Sequence, residues 1–298
     1  NKLNIFKKNF HMSDYFTTEE LADFLRVKPR KIYDMVSKEE VPYAKLTGKL
    51  LFSKAEITNW ISGSLTQSSK FETLPTVLLG SHDPLLELAI KKSNSGIAMS
   101  FDGSTQGIER FKLNEGFASG LHLYDYKENI WNIPIIQKEL TNKTFVLMEW
   151  AQRDRGLIFK DRNDGNITLD SFRGKRLVRR QIGSGAEQYL KHVFKTQNLT
   201  YNDFQETEIA YSENDAVTLI VSELADLTLG LKSEAVKYNL SFIPLVTERF
   251  DLVINRKFWF EKPFQDLLEF CKTEEFKIMA SKLEGYNILN LGKIHFNS

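Results

Sequence analysis

The chain has 298 residues, 42% of them hydrophobic and 27% charged, a size that suits two globular domains better than one. Its single cysteine, Cys271, excludes an internal disulfide framework and a cysteine-rich metal site, and no run approaches the roughly 18–20 apolar residues that cross a bilayer. The net charge of +1 hides an asymmetry: residues 1–73 carry 12 Lys and Arg against 9 Asp and Glu, whereas residues 74–298 carry 28 against 30.

Residues 1–10 hold Lys2, Lys7 and Lys8 with no apolar core behind them, so they do not read as a secretory signal, and a cytoplasmic protein is expected. Thr17 or Thr18 can then cap a helix whose apolar face is Leu21, Ala22, Phe24 and Leu25. Pro29 suits the first turn of a second helix, from about Pro29 to Ser37, with Ile32, Tyr33 and Val36 facing inward. Residues 41–46 and 50–52 flank a Thr47-Gly48-Lys49 turn and predict a small hairpin, or wing. Ser53 caps a last helix from Lys54 to Ile61, closed by Gly63. The polar, serine-rich stretch that follows predicts a linker. The expected divisions are a head at 1–63, a linker at 64–73 and a large domain at 74–298.

From Leu74 onward strands and helices alternate, which predicts an α/β fold with a parallel sheet. Strands are expected at 76–80, 96–100, 117–122, 145–148, 156–159, 175–178, 226–230 and 240–245, and helices at 84–92, 105–114 and 186–196. Two α/β lobes are the economical arrangement.

A helix, a short break, a second helix and a wing is a common way of entering the major groove. Lys28, Arg30, Lys31 and Lys38 lie on or beside the second helix, and Lys45 and Lys49 on the wing. On charge and periodicity alone a DNA-binding face and a solvated charged face stand level. The run from Tyr15 to Leu25, then Val27-Lys28-Pro29-Arg30-Lys31-Ile32-Tyr33, Val41-Pro42, the Gly-bearing wing and Phe52 to Ile61 resembles the excisionase/MerR-like winged-helix families. That resemblance implies binding to a double-stranded DNA operator, with Arg30, Lys31 and Tyr33 on the recognition helix and Lys49 on the wing. Paired heads on half-sites would make the chain a homodimer.

In the large domain three small-residue turns feed helix starts: Gly80 to Pro84, Ser100 to Gly107, and Gln181 to Ala186. Free N–H groups at such starts bind anions, and ligands of open α/β sheets sit at the carboxyl ends of the strands, where these turns fall. The hydroxyls of Ser81, Ser104, Thr105 and Ser184 could add donors; equally, Ser, Asp and Gly start many helices that bind nothing. Residues 75–290 resemble the molybdate- and tungstate-binding type of periplasmic-binding-protein-like domain, in the form fused to DNA-binding heads in bacterial regulators. The resembling stretches include Gly80 to Leu88, Gly120 to Asp125, Gln152 to Ile158, Arg180 to Gly185 and Leu245 to Val253.

The resemblance implies a type II two-lobed domain with lobe 1 at about 74–148 and 250–298 and lobe 2 at about 156–245. Crossing strands would fall near Glu149–Arg155 and Val246–Arg249, and Ser81, Ser104 and Ser184 would line the cleft around an oxyanion. The candidate ligand set is Ser81, His82, Ser104, Thr105, Arg180, Gly183, Ser184 and Gly185. Two positions depart from the pattern: Gln106 replaces a small residue, and Ala186-Glu187 replaces Thr-Arg. One of Arg153, Arg155, Arg179 and Arg180 is expected in the cleft, since guanidinium suits oxyanions.

The five histidines lack metal-ligand spacing, and no Walker loop or nucleophile elbow is present. His122 with Asp125 could do acid–base work, though a strand-end His bonded to backbone is the plainer reading. The expected function is a ligand-responsive transcription regulator, neither an enzyme nor dependent on a cofactor or a membrane. The rivals are a ligand-delivery protein whose head contacts protein, and an enzyme using His82 and Asp102.

Overall fold

The computed structural model describes residues 14–46, 48–69, 74–160 and 167–298. Thr47, at the expected wing tip, and residues 70–73 of the expected linker lie outside the described residues. The chain divides into two compact units, Asn1–Thr73 and Leu74–Ser298.

In the first unit a short strand β1 (Tyr15–Phe16) precedes α1 (Thr18–Phe24) and α2 (Pro29–Ser37). Thr17 and Glu20 form a reciprocal capping box: the Glu20 N–H donates to Thr17 Oγ1, and the Thr17 N–H donates to Glu20 Oε2 at 2.7 Å. Strands β2 (Ala44–Leu46) and β3 (Lys49–Ser53) form the wing, and β1 adds antiparallel to β3. Leu21, Ala22, Ile32, Val41, Phe52 and Ile57 are buried together.

Three expectations need correction here. Phe24 is exposed, and its ring stacks on Phe16 instead of entering the core. Tyr33 points outward and is 54% exposed. The last helix, α3 (Lys54–Ser69), runs through Gly63 and well into the stretch expected to be linker. One glycine inside a helix costs about 1 kcal/mol relative to alanine, too little to stop it where no proline follows.

The second unit is built on one sheet. Its first lobe holds β4 (Val77–Gly80), α4 (Pro84–Ser93), β5 (Ala98–Phe101), α5 (Ser104–Lys112) and β6 (Ala118–Leu121). A small hairpin, β7 (Tyr124–Asp125) and β8 (Ile130–Trp131), leads to α6 (Ile133–Glu139). Strand β9 (Phe145–Phe159) carries the chain into the second lobe. There β10 (Arg176–Arg180), α7 (Gly185–Thr196), β11 (Gln205–Ala210), α8 (Glu213–Val221), β12 (Leu227–Leu231) and α9 (Lys232–Lys237) follow. Strand β13 (Ser241–Asn255) returns to the first lobe, which is finished by α10 (Lys262–Cys271), α11 (Glu274–Ser281), β14 (Tyr286–Asn287) and β15 (Ile294–Asn297).

The strand order is β11-β10-β12-β9-β13-β6-β4-β5, with β14 and β15 also paired to β9. Pairing is parallel within each lobe, between β4 and its neighbours β5 and β6 and between β10 and its neighbours β11 and β12. It is antiparallel where β9 and β13 run beside each other between the lobes. The sheet is therefore mixed, not parallel throughout. Residues 145–148 and 156–159 belong to one 15-residue strand, because the stretch between them stays in the ladder with Glu149, Arg153 and Arg155 buried. Each lobe has cores of its own: Trp150, Phe117, Phe264 and Phe276 help fill the first, and Leu177, Leu190, Phe194 and Leu227 the second. Among the described residues no helix is long and apolar enough to cross a membrane.

Candidate functional site

Turns from the two lobes meet over β9 and β13. The Thr105 N–H, on the first turn of α5, donates to the Gly183 carbonyl at 3.2 Å. Gln106 Nε2 donates to the Ile182 carbonyl at 3.2 Å, and Gln188 Nε2 to Thr105 Oγ1 at 3.0 Å. Tyr126 donates its hydroxyl to the Gln188 carbonyl and stacks on His192 with ring centroids 3.8 Å apart. The lobes are closed on each other.

Two glycines permit this approach. Gly183 has φ of +90°, and a Cβ there would stand 2.2 Å from Gln106 Oε1. A Cβ on Gly185 would stand 2.3 Å from the His122 carbonyl. Gln106, the departure noted in the sequence, thus bridges the lobes.

The candidate serines occupy the interior of this contact. Ser81 and Ser104 are buried, with their hydroxyls 2.7 Å apart, and Ser104 Oγ also accepts from the His122 N–H. Ser184 caps α7 by accepting from the Glu187 N–H at 3.1 Å. The Glu187 carboxylate is bonded to Arg179 at 2.6 Å and to the Tyr201 hydroxyl at 2.7 Å. Glu187 and Arg179 are thereby engaged inside the second lobe.

His82 Nε2 pairs with Glu87 Oε2 at 2.8 Å, while Asp102 pairs with Arg110 at 2.7 Å. The histidine and aspartate weighed as an acid–base pair are not brought together. His122 likewise bonds through Nδ1 to Glu248 Oε2 at 2.9 Å, neither to Asp125 nor to a backbone group through its ring.

Beneath the turns lies a buried charged chain. Arg153 donates to Asp83 Oδ2 at 2.8 Å and to Glu248. Arg155 donates to Glu248 Oε2 at 2.7 Å and to Glu213 Oε1 at 2.9 Å. Arg180 stands 2.7 Å from Glu213 Oε1 and donates to the Ala210 and Tyr211 carbonyls. Asp83 caps α4 and also accepts from Trp150 Nε1 and the Tyr286 hydroxyl. Arg153 and Arg155 are fully buried, and Asp83, Glu213, Glu248 and Arg180 are buried with them.

Burial pushes Glu213 and Glu248 up, but the neighbouring guanidiniums outweigh it and hold both carboxyls below the usual range. Burial also drives His122 down, against the pull of Glu248, which favours the neutral imidazole.

Sequence reasoning named the arginines but missed Asp83, Glu213 and Glu248 as their partners. The one available signal was a charged residue inside an otherwise extended, apolar run, as at Glu248. Glu213 opens a helix and carried none.

On the head, Lys28, Arg30, Lys31, Lys38, Lys45 and Lys49 are all exposed. Among the described residues none of the six makes an ion pair. Among the described residues, too, no group of three or more His, Cys, Asp or Glu could hold a metal ion.

Two α/β lobes joined by a pair of long antiparallel strands, with helix-start turns closing over the join, define a two-lobed binding-protein domain. Residues 86–272 match the PBP superfamily domain, and the chain belongs to that family. Residues 15–64 match a helix-turn-helix domain. The uncharacterized protein YvgK of Bacillus subtilis is 23% identical over 94% of this chain and 97% of its own length. An uncharacterized protein in the 5′ region of a 2Fe-2S ferredoxin gene of Clostridium pasteurianum is 34% identical over 24% of this chain and 63% of its own. Among solved structures, a protein described as a phosphate ABC transporter substrate-binding protein with bound phosphate, from Clostridium perfringens, superposes with a TM-score of 0.52. It is 16% identical and covers 73% of this chain and 98% of that one, a likeness that shows the fold.

Proposed function

We propose that the chain is a ligand-responsive DNA-binding transcription regulator, acting as a homodimer in the cytoplasm. The observation that carries this reading is the pairing of two features in one chain. A helix–helix–wing head presents exposed cations that make no ion pair among the described residues, and a two-lobed domain closes through direct contacts between its helix-start turns. Exposed cations on α2 and the wing suit duplex phosphates, with Tyr33 free to reach a base edge or a backbone. A ligand that binds the closed lobes better than open ones shifts the population between them, and that shift is what the heads would transmit.

An oxyanion such as molybdate or tungstate is the ligand that the resemblance assigns, and the Clostridium perfringens neighbour holds phosphate. Three hydroxyls at or just before helix starts, on Ser81, Ser104 and Ser184, support that chemistry. The neutralised guanidiniums beneath them oppose it.

A band-shift titration of Arg30→Ala combined with Lys31→Ala tests the head. The double variant is expected to lose DNA affinity at least about tenfold with its ligand response intact, each lost phosphate or base contact contributing on the order of 1 kcal/mol. Unchanged DNA affinity would refute the assignment.

A further inference from the structure

We propose that Asp34 on α2 is a base-reading residue that accepts from the N4 amino group of cytosine in the major groove, so that the operator half-site carries a cytosine at one fixed position. The inference rests on the DNA-binding reading above and adds to it a named sequence determinant.

Helical geometry sets the face. The helix turns by about 100° per residue, and Ile32 is 0% exposed, packed with Leu21, Ala22, Phe52 and Ile57. Met35 and Val36 lean against the same core. Arg30 and Asp34 stand two residues either side of Ile32. Each therefore lies roughly 160° around the helix from it, flanking the direction that points straight away from the core of the head. Both are exposed, as are Tyr33 and Ser37 beside them. This is the face that a second helix of such a head presents to a groove.

Charge singles out Asp34 on that face. It is the one carboxylate of α2. Arg30 lies four residues before it, Lys31 three before and Lys38 four after, spacings at which opposite charges on a helix pair. Among the described residues Asp34 pairs with none of them. The Ser37 hydroxyl donates to the Asp34 backbone carbonyl at 2.8 Å and leaves the carboxylate unengaged.

A carboxylate on a face that meets phosphates is repelled by them, so it weakens binding unless the duplex offers it a donor. The major groove offers two, the cytosine N4 and adenine N6 amino groups. Adenine sets its N7 acceptor beside the amino group, and a carboxylate has no hydrogen to give it. Cytosine presents no acceptor of its own there and is the base that an aspartate suits. Guanine and thymine turn acceptors toward the carboxylate and are rejected. Asp34 thus selects by attraction to one base and by repulsion of the others.

The test is selection of bound duplexes from a randomised pool by the full chain, then titration of the selected duplex and its single-base variants, for the wild type, Asp34→Ala and Asp34→Asn. Since Asp34 is exposed, both variants should keep the wild-type thermal midpoint. The wild type should prefer cytosine at one position by at least about tenfold. Asp34→Ala should bring that preference within about threefold, while its affinity for random duplex rises about twofold because a repulsive charge has gone. Asp34→Asn should move the preference to adenine, since a carboxamide both accepts from N6 and donates to N7. The same selected sequence for the wild type and Asp34→Ala, or a lost preference for a base other than cytosine, would overturn the role of Asp34 and leave DNA binding by the head standing. A wild type that binds no duplex at low salt would overturn the DNA-binding reading and the role of Asp34 with it.

Discussion

The head and the cleft both use basic side chains, and use them oppositely. On the head, six lysines and arginines are exposed and make no ion pair among the described residues. In the cleft three arginines are buried, and each already holds at least one carboxylate. Exposed, unpaired charge is available to an external anion, whereas a buried pair is part of the architecture. Residue type alone suggests an anion site in both places; burial and partners make the head the better candidate.

The sharpest way to break this contrast is Glu248→Ala. It strips carboxylate partners from Arg153, Arg155 and His122 at once, and removing one partner of a buried pair costs about 3–5 kcal/mol. Urea unfolding should show a loss of that size. Lys31→Ala on the head should change stability by less than about 0.5 kcal/mol in the same measurement. Equal losses would dissolve the distinction.

Gly183→Ala should come next. It places a side chain at a left-handed φ, for about 1–2 kcal/mol, and drives a Cβ into Gln106. Adding Gln106→Ala should restore part of the loss. A fully additive pair would mean that the two loops do not touch in solution.

The smallest effect is a pH slope. Glu213 and Glu248 have lowered folded-state pKa values, so the stability they lend is present above the ordinary carboxylate range and is lost as pH falls. His122 is also lowered, so below its ordinary value near 6.5 the unfolded chain takes up a proton that the folded chain resists. Glu234 is raised and opposes the trend. The melting midpoint should therefore fall between about pH 7 and pH 5, and His122→Gln should flatten the upper part of that fall. An unchanged slope in the variant would show that His122 is not held neutral.

Much of this was legible in the chain of residues, and what was not has a common cause. Thr17 with Glu20, Pro29 opening a helix, and the small-residue turns are local signals, and local hydrogen bonds decide them. The continuity of β9 was hidden because Arg153 and Arg155 look like the end of a strand, and only partners distant in sequence make them tolerable inside one. Glu248 lies 93 and 95 residues from the arginines it binds, beyond any spacing rule. Tyr33 fell at an inward position of the helical period, yet a three-stranded wing sheet and Ile32 already fill that core. The bridging role of Gln106 was visible only as a departure from a pattern, because what it bridges to, Ile182, belongs to the other lobe.

That the head's exposed cations meet nucleic-acid phosphates is the proposal on which the regulator reading rests. Its most direct test is the salt dependence of duplex DNA binding by the full chain. Each phosphate neutralised releases counterions and steepens the fall of log K with log salt by about 0.9. We expect a slope of several units, reduced by about one for each of Arg30 and Lys31 that is replaced by alanine and that contacts a phosphate. A flat salt dependence, or no DNA binding at low salt, would contradict the account and make the head a protein-binding module.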